Sequence, residues 1–352
     1  MSAMEKLMAE LKPLEWRDGK LICLDQTRLP DQEIYLEINS CQQVIEAIKR
    51  LAIRGAPAIG IAAAYGIALG SREIRVQARE SFLNRLATVM KSLAASRPTA
   101  RNLFWAIERM NQVAQSGNDV DHIQHLLLQE ALKIHHEQLE NDLQISKFGA
   151  NLISDGDVIL THCNTGALAT AGYGTALGII KYAFSAGRKI QVIATETRPL
   201  LQGARLTAWE LQKAGIPFCL ITDSMAGYFM LKGRISLIFV GADRIASNGD
   251  TANKIGTYTL AVLAKEHHLP FFIAAPTSTI DHSISSGDEI IIEERAQEEV
   301  TRIKDINIAP AGIQANNPAF DITPGLYISA IITEKGILKK PYTRAIQQLG
   351  DY

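Results

Sequence analysis

The chain has few cysteines: four in 352 residues, Cys23, Cys41, Cys163 and Cys219. None stand together at the spacing of a metal site, and four in this length do not build a disulfide framework. A reduced, cytoplasmic protein is the simplest expectation. Charge of one sign is also lacking. Lys and Arg total 36, Asp and Glu 37, and the formal net charge is −1. No basic stripe of the kind that holds nucleic acid is expected from that balance. There is no long hydrophobic run. The longest, Ala56–Leu69, contains a proline and two glycines, is too short to span a bilayer, and reads as a buried helix. Residues 1–11 carry Glu5, Lys6 and Glu10 and lack the uninterrupted apolar core of a signal peptide. No internal repeat and no Walker-type phosphate loop is present. His136-Glu137-Gln138-Leu139-Glu140 has Glu140 where a zinc-binding helix needs a second histidine, so it reads as a solvated helix face and no metal is expected.

What remains is an ordinary soluble composition, 47% hydrophobic and 21% charged, at a length that admits two domains. Residues 1–150 read as a mostly helical domain with a small antiparallel β element, its strands near 19–24 and 33–38. Ser40 is a good cap for a helix to Arg50. Arg54-Gly55-Ala56-Pro57 is a fixed loop, and Pro57 suits the first turn of the helix that follows. Helices are expected over 72–95 and 102–116, with a break at Ser96–Ala100 and Thr99 as a candidate cap. A long helix over 121–150 joins the two halves. Residues 151–352 alternate strand and helix. Strands are predicted at 157–162, 189–194, 217–221, 236–240 and 270–274, with helices at 167–185, 202–214 and 255–266. That alternation predicts a Rossmann-like α/β domain with a parallel, doubly wound sheet, and residues 287–335 are expected to finish the sheet edge.

Five strands carry polar residues just past their C-terminal ends, where ligands bind in open parallel sheets. After Val240 come Asp243, Arg244, Asn248-Gly249-Asp250 and Asn253-Lys254, followed by an expected free helix N-terminus that would favour an anion. Asp243 reads as a general acid or base, against the alternatives of pairing with Arg244 or capping a helix. Asp250 is the better cap candidate. Cys163 ends a strand before a glycine loop. It is either a thiol activated by backbone N–H groups or a buried, inert cysteine. Cys219 and Cys23 read as core packing. Arg54, Arg97, Arg198 and Lys254 are cations beside helix starts, and together they suggest a phosphorylated ligand. Gly172-Tyr173-Gly174 with Gly178, and Glu196 after the next strand, approach a dinucleotide fingerprint. The spacing is one residue too long and falls too late after the strand, so these glycines are expected to serve helix packing.

Several segments together resemble a known family. They are Arg54-Gly55-Ala56-Pro57-Ala58-Ile59-Gly60, Thr161-His162-Cys163-Asn164-Thr165-Gly166, Glu196-Thr197-Arg198-Pro199, Gln202-Gly203-Ala204-Arg205-Leu206-Thr207, Gly241-Ala242-Asp243-Arg244-Ile245 and Asn248-Gly249-Asp250 with Asn253-Lys254. The chain is similar along nearly its whole length to the methylthioribose-1-phosphate isomerases. These are aldose–ketose isomerases of methionine salvage, related to ribose-1,5-bisphosphate isomerases and to regulatory subunits of a eukaryotic translation-initiation exchange factor. The resemblance implies a homodimer, Cys163 and Asp243 as the catalytic pair, and substrate contacts by Arg54, Gly55, Ala56, Arg97, Gln202, Asn253 and Lys254. It implies a sugar-phosphate substrate and no metal or other cofactor, because hydrogen moves within the substrate. The alternatives are isomerisation of ribose 1,5-bisphosphate or 5-deoxyribose 1-phosphate, or a sugar-phosphate sensor without chemistry.

Overall fold

The structure is a computed structural model that describes residues 11–97, 99–170 and 172–350. The N-terminal segment to Glu10 and the break at Pro98 lie outside the described residues. Two compact units emerge. One runs to Leu143 and takes in Ala167–Gly174; the other comprises Gln144–Gly166 and the chain from Thr175 onward.

Among the described residues the first unit begins with a three-stranded antiparallel sheet of β1 (Leu14–Arg17), β2 (Lys20–Leu24) and β3 (Tyr35–Ile38). Five helices follow: α1 (Cys41–Lys49), α2 (Ala56–Glu73), α3 (Arg79–Ala94), α4 (Arg101–Ser116) and α5 (Val120–Ala150). Ser40 caps α1 by accepting from the Gln43 N–H at 3.2 Å. The apolar run Ala56–Leu69 is indeed a buried helix, with every residue from Ala56 to Ser71 buried. A helix apolar all round belongs at the centre of its domain. The helix expected over 72–95 is in fact two, broken between Glu73 and Arg79. Ala100, not Thr99, stands at the start of α4.

The single helix predicted over 167–185 does not form. Gly172 and Gly174 have φ of 141° and 104°, and the helix, α6, runs only over Ala176–Ser185. These glycines therefore serve a loop that needs left-handed backbone, not helix packing. The loop is tied within the first unit. Gln26 donates to the Leu168 carbonyl at 2.7 Å, and Asp142 on α5 accepts from the Thr170 hydroxyl and from the Gly174 N–H at 2.9 Å.

The second unit is built on a seven-stranded sheet. In chain order its strands are β4 (Val158–Thr161), β5 (Gln191–Thr195), β6 (Phe218–Ile221), β7 (Leu237–Val240), and, after a small sheet described below, β10 (Phe271–Ala274), β15 (Ala330–Thr333) and β16 (Gly336–Leu338). The spatial order is β16-β15-β10-β7-β4-β5-β6, parallel throughout except for β16. This is a doubly wound arrangement whose direction reverses between β4 and β7. Alternate residues face two cores. Leu160, Ile193, Ile238, Val240 and Ile273 pack on one side, and Ile159, Val192, Phe239, Phe272 and Ile332 on the other. Burial on both faces is why the strands read as continuous apolar runs.

The segment after β7, expected to be loop, forms β8 (Arg244–Ala246) and β9 (Thr251–Lys254). These join β11 (Ile280–Asp281) and β14 (Phe320–Thr323) in a four-stranded sheet of order β11-β8-β9-β14. A short hairpin of β12 (Arg302–Ile303) and β13 (Ile306–Asn307) lies between them in sequence. Residues 287–335, expected to finish the sheet edge, instead supply β15, the strand next to the edge, and β14 of the smaller sheet; the edge itself is β16, just beyond them. Cys219, expected in the core, is exposed, because β6 is the sheet's outermost strand. Cys23 is buried as expected, and burial pushes its thiol up to about 12. Among the described residues no helix is long and apolar enough to cross a membrane.

Candidate active site

The candidate residues fall into two sets, one in each unit. In the second unit they gather at the carboxyl ends of the strands. Thr161 pairs with Phe239 in register, so the chain leaves β4 and β7 side by side, at the point where the sheet reverses direction. Cys163 follows the first strand and Asp243 the second. Adjacent strands lie about 4.8 Å apart, and a crevice at such a reversal is where open α/β sheets bind ligands.

Cys163 is buried and its φ is 61°, in the left-handed region. The residue is fixed at both peptide groups. Its N–H donates to the Thr197 hydroxyl at 2.8 Å, and its carbonyl accepts from the Thr207 hydroxyl at 2.6 Å. Thr197, just past β5, also has a positive φ, 63°. For a β-branched residue that conformation is rare and strained, and it persists only where the surroundings over-determine it. The surroundings here are Asp223, whose carboxylate accepts from the N–H groups of Thr197 and Arg198 at 2.8 and 2.7 Å. The ends of β4, β5 and β6 are thereby linked: Cys163 to Thr197, Thr197 to Asp223.

His162 lies beneath, almost fully buried. Its Nε2 stands 2.9 Å from the Ile255 carbonyl and its Nδ1 2.6 Å from the Thr195 hydroxyl. A carbonyl only accepts, so Nε2 carries the proton and Nδ1 accepts from Thr195. Burial holds this imidazole below its ordinary pKa, against the opposing pull of Asp223, and keeps it neutral. It therefore acts as a strut between β4 and the residue after Lys254.

Asp243 is positioned by its own backbone, whose N–H donates to the Ala252 carbonyl at 2.9 Å across the β8–β9 hairpin. Arg244 beside it makes an ion pair with Asp281 at 3.5 Å. Asn253 and Lys254 lie on β9, both buried. Asn253 donates to the Thr257 hydroxyl at 2.8 Å. Lys254 Nζ donates to the Ala319 carbonyl at 2.8 Å and sits 4.5 Å above the Phe320 ring. The helix that follows, α8 (Thr257–Glu266), does not present the expected free N-terminus. Asp321 on β14 occupies it, accepting from the Gly256 and Tyr258 N–H groups at 2.7 and 3.0 Å. Burial pushes the Asp321 carboxyl up to about 6 in spite of those bonds and of Lys254 nearby. Asp250, the expected cap, instead accepts from the Gly287 and Gly325 N–H groups and ties loops together.

Gln202 is buried at the start of a π-helical turn, Gly203–Thr207, that runs into α7 (Ala208–Lys213). Such turns concentrate at functional sites. Its Oε1 is buried with no hydrogen-bond partner among the described residues. A buried carbonyl left so costs about 1–3 kcal/mol unless a ligand donor meets it. Arg198, one of the four cations beside expected helix starts, has its guanidinium engaged by the Pro199 and Val300 carbonyls, the latter at 2.7 Å.

In the first unit, Arg54 is half-buried and precedes Gly55, the residue at the start of α2, whose φ is 93°. No side chain caps this 18-residue helix, and Pro57 lies in its first turn. Ala56 is its first residue and is buried. A Cβ at Gly55 would lie 2.5 Å from the Ala169 backbone, so only glycine fits there. Arg97 is half-buried between α3 and α4. An uncapped helix start beside an arginine suits a phosphate.

Residue type and position alone single out Cys163, Asp243, Lys254, Arg54 and Arg97 but not Gln202, whose only signal is its place after a strand. Nor do they single out His162, Thr197 and Asp223, although each is a polar residue at a strand end.

The chain is similar over most of its length to proteins of known family. The initiation factor 2 subunit family matches residues 52–340. The methylthioribose-1-phosphate isomerase of Geotalea uraniireducens is 57% identical over 340 residues, 96% of this chain and 98% of its own. That of Dehalococcoides mccartyi is 60% identical over 330 residues, covering 94% and 99%. The crystal structure of 5-methylthioribose 1-phosphate isomerase from Pyrococcus horikoshii superimposes with a TM-score of 0.89 at 42% identity, over 98% of this chain and 97% of that one. The structure described as translation initiation factor eIF-2B, subunit delta, from A. fulgidus gives 0.84 at 44% identity, over 96% and 100%. The chain belongs to the initiation factor 2 subunit family and, within it, stands with the methylthioribose-1-phosphate isomerases.

Proposed function

We propose that the chain is an aldose–ketose isomerase that converts 5-methylthioribose 1-phosphate to 5-methylthioribulose 1-phosphate in methionine salvage. The observation that carries it is the placement of Cys163 and Asp243 past β4 and β7, the two strands that flank the reversal of the sheet. The relatives at 55–60% identity bear the same activity in their names.

Phosphate on the anomeric oxygen prevents the sugar from opening to a free aldehyde. An acid must protonate the ring oxygen as the C1–O bond breaks, and hydrogen must then pass from C2 to C1. Asp243 is the proton donor. Cys163 assists the transfer, either as the proton carrier of an enolate route or as a polar stabiliser of a hydride that stays within the substrate. Gln202, Asn253 and Lys254 hold the sugar phosphate, and Arg54, Gly55, Ala56 and Arg97 supply further contacts to it. Orientation of this kind is worth several kcal/mol, about 7–11 in well-aligned cases. The working form is a homodimer in the cytoplasm. The surface proposed for the second copy is the exposed edge near β6, with Leu220, Met225, Tyr228 and Leu231 at 44–69% exposure.

The likeness to the A. fulgidus chain supports a second reading, a regulatory subunit with the same pocket and no chemistry. An NMR time course with 5-methylthioribose 1-phosphate separates the two. Growth of a ketose C2 signal that stalls in Cys163→Ser supports the isomerase. Binding without turnover supports the sensor. Run in D2O, the same experiment tests the route: deuterium at C1 requires exchange through an enolate, with the Cys163 thiol as proton carrier.

A further inference from the structure

Beneath the Cys163 loop lies a buried ion pair that no part of the proposed chemistry uses. Glu210 on α7 is 2% exposed, and its Oε2 accepts from Lys181 Nζ on α6 at 2.6 Å. Its Oε1 accepts from the side-chain amide of Asn164, the residue after Cys163, at 2.8 Å. The same amide reaches the Thr207 hydroxyl at 3.3 Å, and that hydroxyl donates to the Cys163 carbonyl. The contact is close. A Cβ on Gly166 would lie 2.2 Å from Glu210 Oε2, so the loop is laid directly on the carboxylate.

A gain in stability is a weak reason for the pair. Taking both charges out of water costs several kcal/mol per ion, and an apolar pair of similar volume is often equally stable or more so. What the carboxylate adds is a fixed acceptor for Asn164. Its location reinforces the point: Gln202, the π turn and Glu210 follow one another on a single short element. One rigid segment therefore carries a proposed substrate contact at its start and the support of the Cys163 loop at its end.

We infer that Glu210 is a positioning residue for the isomerisation. It orients Asn164 and so sets the sulfur of Cys163 against the substrate, while Lys181 only balances its charge. The inference rests on the isomerase reading above, and the wild-type enzyme distinguishes the two failures: if wild type does not turn over 5-methylthioribose 1-phosphate, the isomerase reading falls first.

The experiment compares two uncharged double variants. Glu210→Gln with Lys181→Met keeps an acceptor for Asn164; Glu210→Leu with Lys181→Met removes it. Both are checked by thermal melting and by steady-state kinetics. The first is expected within about tenfold of wild-type kcat. The second is expected to lose kcat on the order of 10²-fold with KM within about threefold, the signature of a misplaced reacting group. Equal kcat in the two double variants, fast or slow, overturns the inference, as does a loss confined to KM. Should the leucine variant fail to fold, Asn164→Ala tests the same bond with the ion pair intact. A fall in kcat at steady KM then supports the inference, and an unchanged kcat overturns it.

Discussion

The N–H of Cys163 and the hydroxyl of Thr197 meet at 2.8 Å, and both residues hold left-handed backbone at the ends of neighbouring parallel strands. Strain at one strand end is thus anchored by strain at the next, with Asp223 fixing the second.

Thr197→Val removes the hydroxyl and leaves a buried N–H unsatisfied, which costs about 1–3 kcal/mol. The expected result is a lower melting temperature and at least about a tenfold loss of kcat, from displacement of the Cys163 loop. Thr197→Ser keeps the hydroxyl and sheds the β-branch, so it should retain turnover. Equal activity in the two variants would show that the bond does not hold the loop in place.

Asp243→Asn keeps the shape and removes the acid. A loss of kcat on the order of 10²–10⁴-fold is expected with substrate binding retained. Isothermal calorimetry beside the kinetics checks both halves. Near-full turnover would remove Asp243 from the role of proton donor.

Gly55→Ala forces a Cβ to within 2.5 Å of the Ala169 backbone and puts alanine at a φ of 93°. Neither backbone nor residue has room to yield. The variant should melt well below wild type, by a few kcal/mol of stability, roughly the cost of overpacking plus strain. An unchanged melting curve would contradict the described approach of the two backbones.

Asp142 gives a pH dependence of stability. Burial is the largest influence on it and pushes its carboxyl up from 3.8 to about 6, although Thr170, Gly174 and Gln138 all donate to it. Folded Asp142 keeps its proton at pH values where the unfolded chain has released it. Its contribution is therefore fullest below about pH 4, declines as pH rises to about 6, and is level above that, for a change of at most about 3 kcal/mol. Urea midpoints of wild type and Asp142→Asn between pH 4 and 7 should converge or diverge over that window alone. Parallel curves would mean that Asp142 does not titrate there.

The proposed dimer surface is tested by charge. Tyr228 and Leu231 lie three residues apart on the helix Ala226–Leu231 and are 53% and 69% exposed. Tyr228→Glu with Leu231→Glu is expected to turn a dimer into a monomer in sedimentation, because a carboxylate buried without a partner is costly. A dimer that survives the pair of changes places the second copy elsewhere.

Much of this protein was determined by sequence alone. Strands buried on both faces must be apolar throughout, so the runs at 158–161, 191–195, 237–240 and 271–274 announce a parallel sheet, and the polar residues after them announce its rim. Asp243 stands out there because its neighbours on the strand side are apolar, and Cys163 because it ends a strand just before a glycine-containing loop. Tertiary structure decided the rest. Gly172 and Gly174 left the helix they were assigned to, since Asp142 draws their segment into the first unit. Lys254 left the loop for a strand, because β14 pairs with it from 66 positions on, Phe320 opposite Lys254. Asp321 took the helix start expected to be free, from 65 residues away, and Glu210 took the cysteine loop from 46. Local pattern records what a residue's own strand or helix requires. A buried hydrogen-bond partner supplied from a distant part of the chain leaves no trace in that pattern, so only the folded arrangement reveals it.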